Sequence, residues 1–120
     1  MATPPSSAVF VDMAALIERS GSGPQWSHES ADLDLTALKW HEGQQVPAHV
    51  NDEVDVVLIG VVGAGTVIVE GAVYRLAAGQ ALLIAKGSER AMQCADEPWI
   101  YLSVHRRRRG LWPTIKGEPL

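Results

Sequence analysis

Four polar side chains follow one another at two-residue spacing in the middle of the chain. They are His49, Asn51, Glu53 and Asp55. Residues two apart on a strand project to the same face, so an extended chain would gather an imidazole, an amide and two carboxylates on one side. An imidazole beside a carboxylate can act as a general base, and the same groups can ligate a metal ion. The spacing therefore predicts a polar site on one face of a strand.

Glycine residues anchor this stretch and a second segment further along the chain. The first segment runs from Gly43 to Asp55 and the second from Gly79 to Arg90. Together they resemble the paired motifs of the cupin family, which read G-x5-H-x-H-x3/4-E and G-x5-P-x-G-x2-H. The intervening segment, residues 63–71, also looks like the hairpin that separates the two motifs in that family. The resemblance implies an all-β fold, a double-stranded β-helix or jelly-roll β-sandwich.

The positions of the family's metal ligands carry different residues in this chain. His49 stands at the first histidine, Asn51 replaces the second and Arg90 replaces the third. The glutamate position falls on Asp55 or Val56, depending on the spacer length. A guanidinium has no lone pair to donate to a metal. We therefore expect a fixed arginine in place of the cation of metal-binding cupins, and no metal cofactor.

Arg90 is the expected partner of the polar row, because the resemblance implies that it lies on a strand of the same barrel. It would pair bidentately with Asp55 or Glu53; the alternative is that it projects outward and touches nothing. A divalent metal such as Fe, Mn, Ni or Zn stays an alternative cofactor. His49 and Asp55 would then supply one nitrogen and one oxygen, and His105 could complete the set.

These residues leave functions of three classes open. The first is a metal-free cupin that binds a small organic molecule, anionic or carbonyl-bearing. The second is an enzyme of the isomerase or lyase type, in which His49 acts as base, Asp55 fixes its tautomer and Arg90 stabilises an oxyanion, or one with a weak metal-dependent oxygenase-type reaction. The third is a dimeric scaffold. The predicted ligand contacts are His49, Asn51, Glu53, Asp55, Arg90, Trp40, Trp99 and Tyr101, the three aromatic residues at the mouth of the barrel.

Short strands are the elements that must position these residues. From residue 33 onward, apolar runs are separated by glycine, which is typical of a sandwich or barrel. Glu70-Gly71 between two such runs predicts a β-hairpin. The absence of helix-length patterns between the runs argues against a parallel α/β sheet. The predicted strands are residues 33–40, 55–62, 66–69, 72–76, 81–85, 91–95 and 99–106.

The length of 120 residues is sufficient for one domain with one core. We expect a leader with one short helix at residues 1–24, the barrel at residues 25–106 and a basic, tryptophan-containing tail at residues 107–120. Asp12 is the expected cap of the helix, at residues 13–19. The formal net charge of −4 and the shortness of the arginine run at residues 106–109 argue against nucleic acid as a partner, so this run is expected to be solvated.

The remaining expectations concern environment and assembly. Cys94 is the only cysteine, so no intrachain disulfide can form. The longest apolar run, residues 56–62, is far shorter than a membrane span, and the N-terminus lacks a signal-peptide pattern, so a cytoplasmic protein without a membrane partner is expected. That same run has no polar face. A small barrel cannot bury both faces of such a strand alone, which predicts a homodimer.

Overall fold

The structure is a computed structural model, and it describes residues 7–108. The predicted leader and tail therefore lie partly outside the described residues, and Trp112 of the tail lies wholly outside them. Strands dominate, which confirms the prediction of an all-β chain. The elements are a 3-10 helix at Met13–Glu18 and the strands β1 (Gly23–Glu29), β2 (Leu33–Trp40), β3 (Gln45–Val50), β4 (Val56–Val69), β5 (Ala72–Ala77), β6 (Ala81–Ile84) and β7 (Glu89–Arg106).

The two longest strands, β4 and β7, build the barrel by pairing with different partners along their two halves. The C-terminal half of β7 pairs with β2, while its N-terminal half pairs with β3. The first residues of β4 pair with β6 and its last residues with β5. All of these pairings, and the long β4–β7 ladder itself, are antiparallel. The sheet therefore folds over into two layers that share β4 and β7.

Both long strands bend where the layers meet, and glycine makes the close approach possible. The β4–β7 register shifts between Gly60 and Gly65. A Cβ atom at position 65 would overlap the indole ring of Trp99. Only glycine lets the backbone of β4 lie directly against this ring. At this bend, Gly65 of β4 packs against Trp99 of β7, the largest side chain of the core.

The predicted hairpin joins β4 and β5. Val69 pairs with Ala72, which leaves Glu70 and Gly71 as the two loop residues. Their φ angles are 48° and 84°, and positive values at both positions are those of the turn that fits the twist of a two-residue hairpin. The loop confirms the prediction made from the Glu-Gly spacing.

Apolar side chains fill the space between the layers. Trp99 and Tyr101 pack with ring centroids 4.8 Å apart, and both are buried. Other members of this cluster include Val56, Leu58, Val67, Leu76, Ile84 and Cys94. Their burial on alternating positions of the strands makes the interior a packed core.

The N-terminal 3-10 helix covers part of the outer face of the barrel. Leu16 packs on Ala37 and Ile100, and the buried Lys39 Nζ donates hydrogen bonds to the carbonyl groups of Leu16, at 3.1 Å, and Ile17, at 3.0 Å. The expected cap was wrong in one respect, because the Asp12 side chain makes no capping hydrogen bond. The helix is instead held at its end by an ammonium group from the barrel.

Candidate functional site

The strand register gathers polar side chains at one end of the barrel, which we call the mouth and define by His49, Glu53, Arg90, His105 and Arg108. His49 lies opposite Arg90 where β3 pairs with the beginning of β7. His105 lies near the end of β7. Arg108, just beyond the end of β7, lies close enough to Arg90, near the beginning of β7, to lower the pKa of that residue. The mouth thus combines residues that are distant in sequence.

A hydrogen bond joins the two motif residues His49 and Arg90. The Nε group of Arg90 donates to Nε2 of His49 at 3.1 Å. On the other side of the ring, Nδ1 of His49 lies 3.0 Å from the carbonyl oxygen of Pro47. A neutral imidazole with its proton on Nδ1 satisfies both contacts, because Nε2 then keeps a lone pair. The exposed His49 ring therefore serves as an acceptor that orients the Arg90 guanidinium.

Arg90 carries a buried charge that lacks a protein counterion. The residue is 6% exposed, and its Nη1 atom has no hydrogen-bond partner among residues 7–108. No described carboxylate forms an ion pair with it. Burial and then the nearby charge of Arg108 lower the pKa of Arg90, and Tyr101 opposes this effect. The guanidinium remains protonated at neutral pH. Its positive charge is therefore present and has no counterion among the described residues.

The expected pairing of Arg90 with Asp55 or Glu53 is corrected by the structure. Strand β3 ends at Val50, and Asn51 Oδ1 accepts a hydrogen bond from the Glu53 amide at 2.9 Å, which turns the chain. The two-residue alternation stops there. Asp55 Oδ1 instead accepts from the Lys86 amide at 2.8 Å, and Glu53 turns to Arg108.

Tyr101 and its neighbours form the floor beneath Arg90. The Trp40 indole N–H donates to the Tyr101 hydroxyl oxygen at 3.1 Å, and the hydroxyl donates to the Met92 sulfur at 3.5 Å. Burial raises the pKa of Tyr101 to about 12, against the lowering effects of the Trp40 hydrogen bond and the Arg90 charge. Tyr101 is therefore a neutral, fully engaged phenol. Trp99 was expected at the mouth but is fully buried in the core, where the bend of β4 receives it.

The arginine run was expected to be solvated, and Arg106 and Arg107 are indeed exposed, whereas Arg108 is partly buried at the rim of the mouth. The Arg107 amide donates to the Asp32 carbonyl at 2.7 Å, and Arg107 Nε lies 3.3 Å from a carboxylate oxygen of Glu29. Arg108 Nε lies 3.5 Å from Glu53 Oε1. That contact lacks hydrogen-bond geometry, so Nε is buried without a hydrogen-bond partner within the described chain. Arg109 lies outside the described residues.

His105 and Asp34 form a second pair beside Arg108. His105 Nδ1 lies 4.0 Å from Asp34 Oδ2 and 2.8 Å from the Arg106 carbonyl oxygen. Both side chains are partly buried. They border a cavity of about 390 Å³, which falls in the size range of small-molecule sites. Its lining also includes Ser27, Glu29, Thr36 and Arg108.

The residues at the motif positions do not fit the metal ion that the fold implies. Within residues 7–108, no group of three or more His, Cys, Asp or Glu side chains could hold a metal ion. The His49 lone pair is engaged by a cation, and Asp55 lies at the Lys86 amide. His105 faces Asp34 instead of completing a set with them. A metal at His49 would also meet direct repulsion from Arg90.

Two residues, Arg108 of the mouth and Asp34 beside it, were missed from the sequence. Asp34 precedes Leu38 by an even number of residues on β2, so strand alternation would have placed both on the inner face. Arg108 offered no comparable signal, because its position depends on how the chain turns after β7. Because Arg108 is part of a run of arginines, the sequence indicated only that this segment is positively charged.

Solved structures with similar folds come from several organisms. KdgF from Halomonas sp. is 22% identical over 68% of this chain and 74% of that chain, with a TM-score of 0.64. A conserved protein with a double-stranded β-helix domain from Klebsiella pneumoniae is 20% identical, covers 86% of this chain and 93% of its own, and has a TM-score of 0.71. A cupin-2 domain containing protein from Shewanella frigidimarina has 20% identity, coverages of 78% and 89%, and a TM-score of 0.65. At such identities the likeness establishes the fold.

No protein-family model and no curated protein sequence matches the chain. In the part of the chain that the structure describes, none of the helical segments has the length and apolar character needed to cross a membrane.

Proposed function

We propose that this protein, which has the cupin fold, binds a small anionic organic molecule at the mouth of its barrel without a metal ion. One observation carries the proposal: Arg90 is 6% exposed and its Nη1 atom has no acceptor among the described residues. Leaving a buried cation unpaired is costly, whereas a ligand oxyanion would form a charge-assisted hydrogen bond with it. The family's metal charge is thereby replaced by a fixed charge of the chain.

The surroundings of Arg90 support binding of an organic anion. The contact with His49 Nε2 occupies Arg90 Nε and leaves Nη1 for a ligand. Trp40 and Met92, which are partly buried and linked through the Tyr101 hydroxyl, offer aromatic and thioether surface for an apolar portion. Tyr101 is 2% exposed, and its hydroxyl already donates to Met92, so it would contribute neither contact area nor a proton.

The pair of His105 and Asp34 favours a second candidate function, proton transfer next to a carbonyl group of the bound anion. His105 Nδ1 is engaged by the Arg106 carbonyl, which leaves Nε2 as the nitrogen that can exchange a proton. Asp34 would stabilise the imidazolium that forms, and an adjacent arginine would stabilise an enolate. This assignment moves the predicted base from His49 and Asp55, which do not meet, to residues that do.

The proposal includes a homodimer formed through the outer face of β4 and β6. Leu83, 62% exposed, lies opposite Val57 in the β4–β6 ladder, and Ile59 adds to the same apolar strip. Light scattering at micromolar concentration should report a dimer that Leu83→Asp dissociates. Val73→Asp, at an exposed apolar position on β5, is the matched control. A stable monomer for the unmodified chain would contradict this part of the proposal.

Isothermal titration calorimetry tests the binding function. Small carboxylates are titrated into three proteins: the unmodified chain, Arg90→Gln and Arg75→Gln. The Arg75→Gln variant is the control, because it removes an exposed arginine that pairs with Asp96 on another part of the barrel. Loss of a charge-assisted hydrogen bond should weaken binding about 10- to 100-fold in Arg90→Gln only. Equal binding by all three proteins, or binding by none, would refute the site and favour a scaffold.

Elemental analysis of the same preparations tests the metal-free part. Fe, Mn, Ni and Zn should all be far below one atom per chain, and anion binding should survive treatment with a chelator. If a stoichiometric metal is present, and the chelator removes both the metal and anion binding, the proposal of a metal-free site is wrong.

A further inference from the structure

We infer that the natural ligand is a small organic dianion held between Arg90 and Arg108, and that Glu53 occupies Arg108 only until this ligand binds. The inference rests on the proposed function, because Arg90 is the shared half of the site. It adds a ligand class and a specificity-determining residue, Arg108, from the chain that follows the last strand.

The first argument is that both guanidinium groups have nitrogen atoms without acceptors. Arg90 Nη1 and Arg108 Nε are each buried and lack a hydrogen-bond partner among residues 7–108. The two charges are also close enough to interact, since Arg108 lowers the pKa of Arg90. Two like charges that repel each other are both relieved by a ligand that carries a negative group for each. A monoanion would neutralise only one of them.

The second argument is the weakness of the contact between Arg108 and Glu53. Glu53 Oε1 lies 3.5 Å from Arg108 Nε without hydrogen-bond geometry, and the Glu53 side chain is 53% exposed. Although the Arg108 side chain is 18% exposed, the Glu53 carboxylate is solvated and the contact lacks hydrogen-bond geometry, so it contributes little free energy. A ligand oxyanion at about 2.7–2.9 Å would make a stronger contact. Glu53 could then turn to solvent at small cost, so it acts as an exchangeable counterion.

The third argument is that Arg108 is held in place by its neighbours. Arg107 binds the Asp32 carbonyl and the Glu29 carboxylate, and Arg106 Nη2 donates to the Glu53 carbonyl at 3.4 Å. These contacts fix the chain where Arg108 enters the mouth. They also pair Glu29 with a cation, which limits its repulsion of an incoming dianion.

The cavity beside Arg108 provides the space that the ligand needs. Its volume of about 390 Å³ is enough for a molecule of a few carbon atoms, and Thr36 and Ser27 add hydroxyl groups to its wall. Asp34 faces His105 in the same wall. Arg108 contributes the cation of this wall, while Asp34 and Glu29 contribute carboxylates that face His105 and Arg107. Arg90 lies outside the lining and would meet the far end of the ligand.

The test compares probes that match in size and differ in charge. Succinate and butyrate are titrated by calorimetry at neutral pH and low ionic strength, and glycerol 3-phosphate serves as a dianion of the phosphate class. The unmodified protein should bind at least one dianion about 10-fold or more tightly than butyrate. Whether succinate or glycerol 3-phosphate binds more tightly distinguishes a dicarboxylate from a phosphate monoester.

Two variants should change affinity in opposite directions. Arg108→Gln should lose about 10-fold in affinity for the preferred dianion while its affinity for butyrate stays unchanged. Glu53→Gln should bind the dianion about 3-fold more tightly, because the competing carboxylate is gone. Arg75→Gln, at an exposed position away from the mouth, is the control for a general loss of positive charge, and Arg108→Lys tests whether charge alone is enough. Circular dichroism and thermal unfolding confirm that each variant is folded.

The outcomes separate this inference from the proposed function. If Arg90→Gln abolishes binding of all anions while Arg108→Gln changes nothing, the proposed function stands and the dianion inference fails. The inference also fails if Arg108→Gln weakens butyrate and dianions equally, or if Glu53→Gln weakens binding. If none of the probes binds, both are refuted.

Discussion

The two ends of the barrel treat their polar groups differently. At the end opposite the mouth, a Glu97 carboxylate oxygen accepts a hydrogen bond from the Glu42 amide at 2.6 Å and lies 3.7 Å from His41 Nδ1. At the mouth, Arg90 Nη1 and Arg108 Nε are buried without hydrogen-bond partners in the described part of the chain. Because buried polar atoms in native proteins are nearly always paired, the exceptions require an explanation.

We propose that this difference reflects a ligand that binds at the mouth. One end pairs its ionisable groups with the chain's own atoms, which contributes to stability. The other keeps two charged guanidinium groups short of acceptors, which reduces stability, whereas the other buried nitrogen atoms without partners among the described residues, Trp99 Nε1 and Asn51 Nδ2, are uncharged. Sites of function are where proteins commonly break the rules that stabilise the rest of the fold.

The largest expected effect concerns Tyr101, which separates the mouth from the core. Burial raises its pKa from 10.0 to about 12, so the folded state favours the neutral phenol. This contribution is fully present below pH 10 and is lost as the pH rises through about 12, a loss of about 3 kcal/mol in unfolding free energy. Denaturant unfolding across this range should show the decline, and Tyr101→Phe should flatten it. The exposed Tyr74→Phe should leave the decline intact, and an equal slope in both variants would contradict the prediction.

Replacement of Arg90 by methionine should raise the free energy of unfolding by about 1 kcal/mol while it abolishes anion binding. The change removes a buried charge without a counterion and the repulsion from Arg108, and it places an apolar side chain above Met92. Urea denaturation measures the effect, with Arg75→Met as the control at an exposed position. A loss of stability in Arg90→Met would mean that the guanidinium already has a stabilising partner, and the two ends would then be alike.

Much of the fold followed from the sequence, and the exceptions have a common physical cause. Apolar runs and glycine predicted β2 and the hairpin between β4 and β5. Strand β1 was missed, and β3 was predicted only as a strand that carries His49, because both are polar or exposed at most positions and β3 contains Pro47. β1 lies at one end of the strand order and β3 pairs only with β7, and edge strands need fewer apolar residues.

The site was predictable only where motif and strand geometry coincide. His49 and Arg90 were placed together by the motifs, and they are joined by a hydrogen bond. The prediction that Asp55 lies beside Arg90 was wrong. The turn at Asn51 ends the two-residue alternation on which that prediction depended. Arg108 reaches the mouth through long-range contacts with the β1–β2 turn and the loop before β4. Residue spacing carries no information about such contacts.

The smallest expected effect concerns Glu97 and Glu53, the acidic residues at the two ends of the barrel. Glu97→Gln should lower the unfolding free energy by about 0.5–1 kcal/mol, because the charged acceptor of the Glu42 amide becomes a neutral one. Glu53→Gln should change it by less, since its contact with Arg108 lacks hydrogen-bond geometry. Thermal unfolding of both variants gives the comparison. Equal losses would show that Glu53 is a structural partner of Arg108 and not an exchangeable one.

Nitrogen-detected NMR of the arginine side chains tests most directly the claim that the Arg90 charge awaits a ligand. Arg90→Lys assigns the signals, and succinate is the probe. On saturation, the Nη resonances of Arg90 should separate as rotation about the Cζ–Nη bonds slows, and Arg108 Nε should shift with them, while Arg75 stays unchanged. If calorimetry detects succinate binding but the Arg90 resonances do not respond, the anion lies elsewhere and the account of the mouth is wrong.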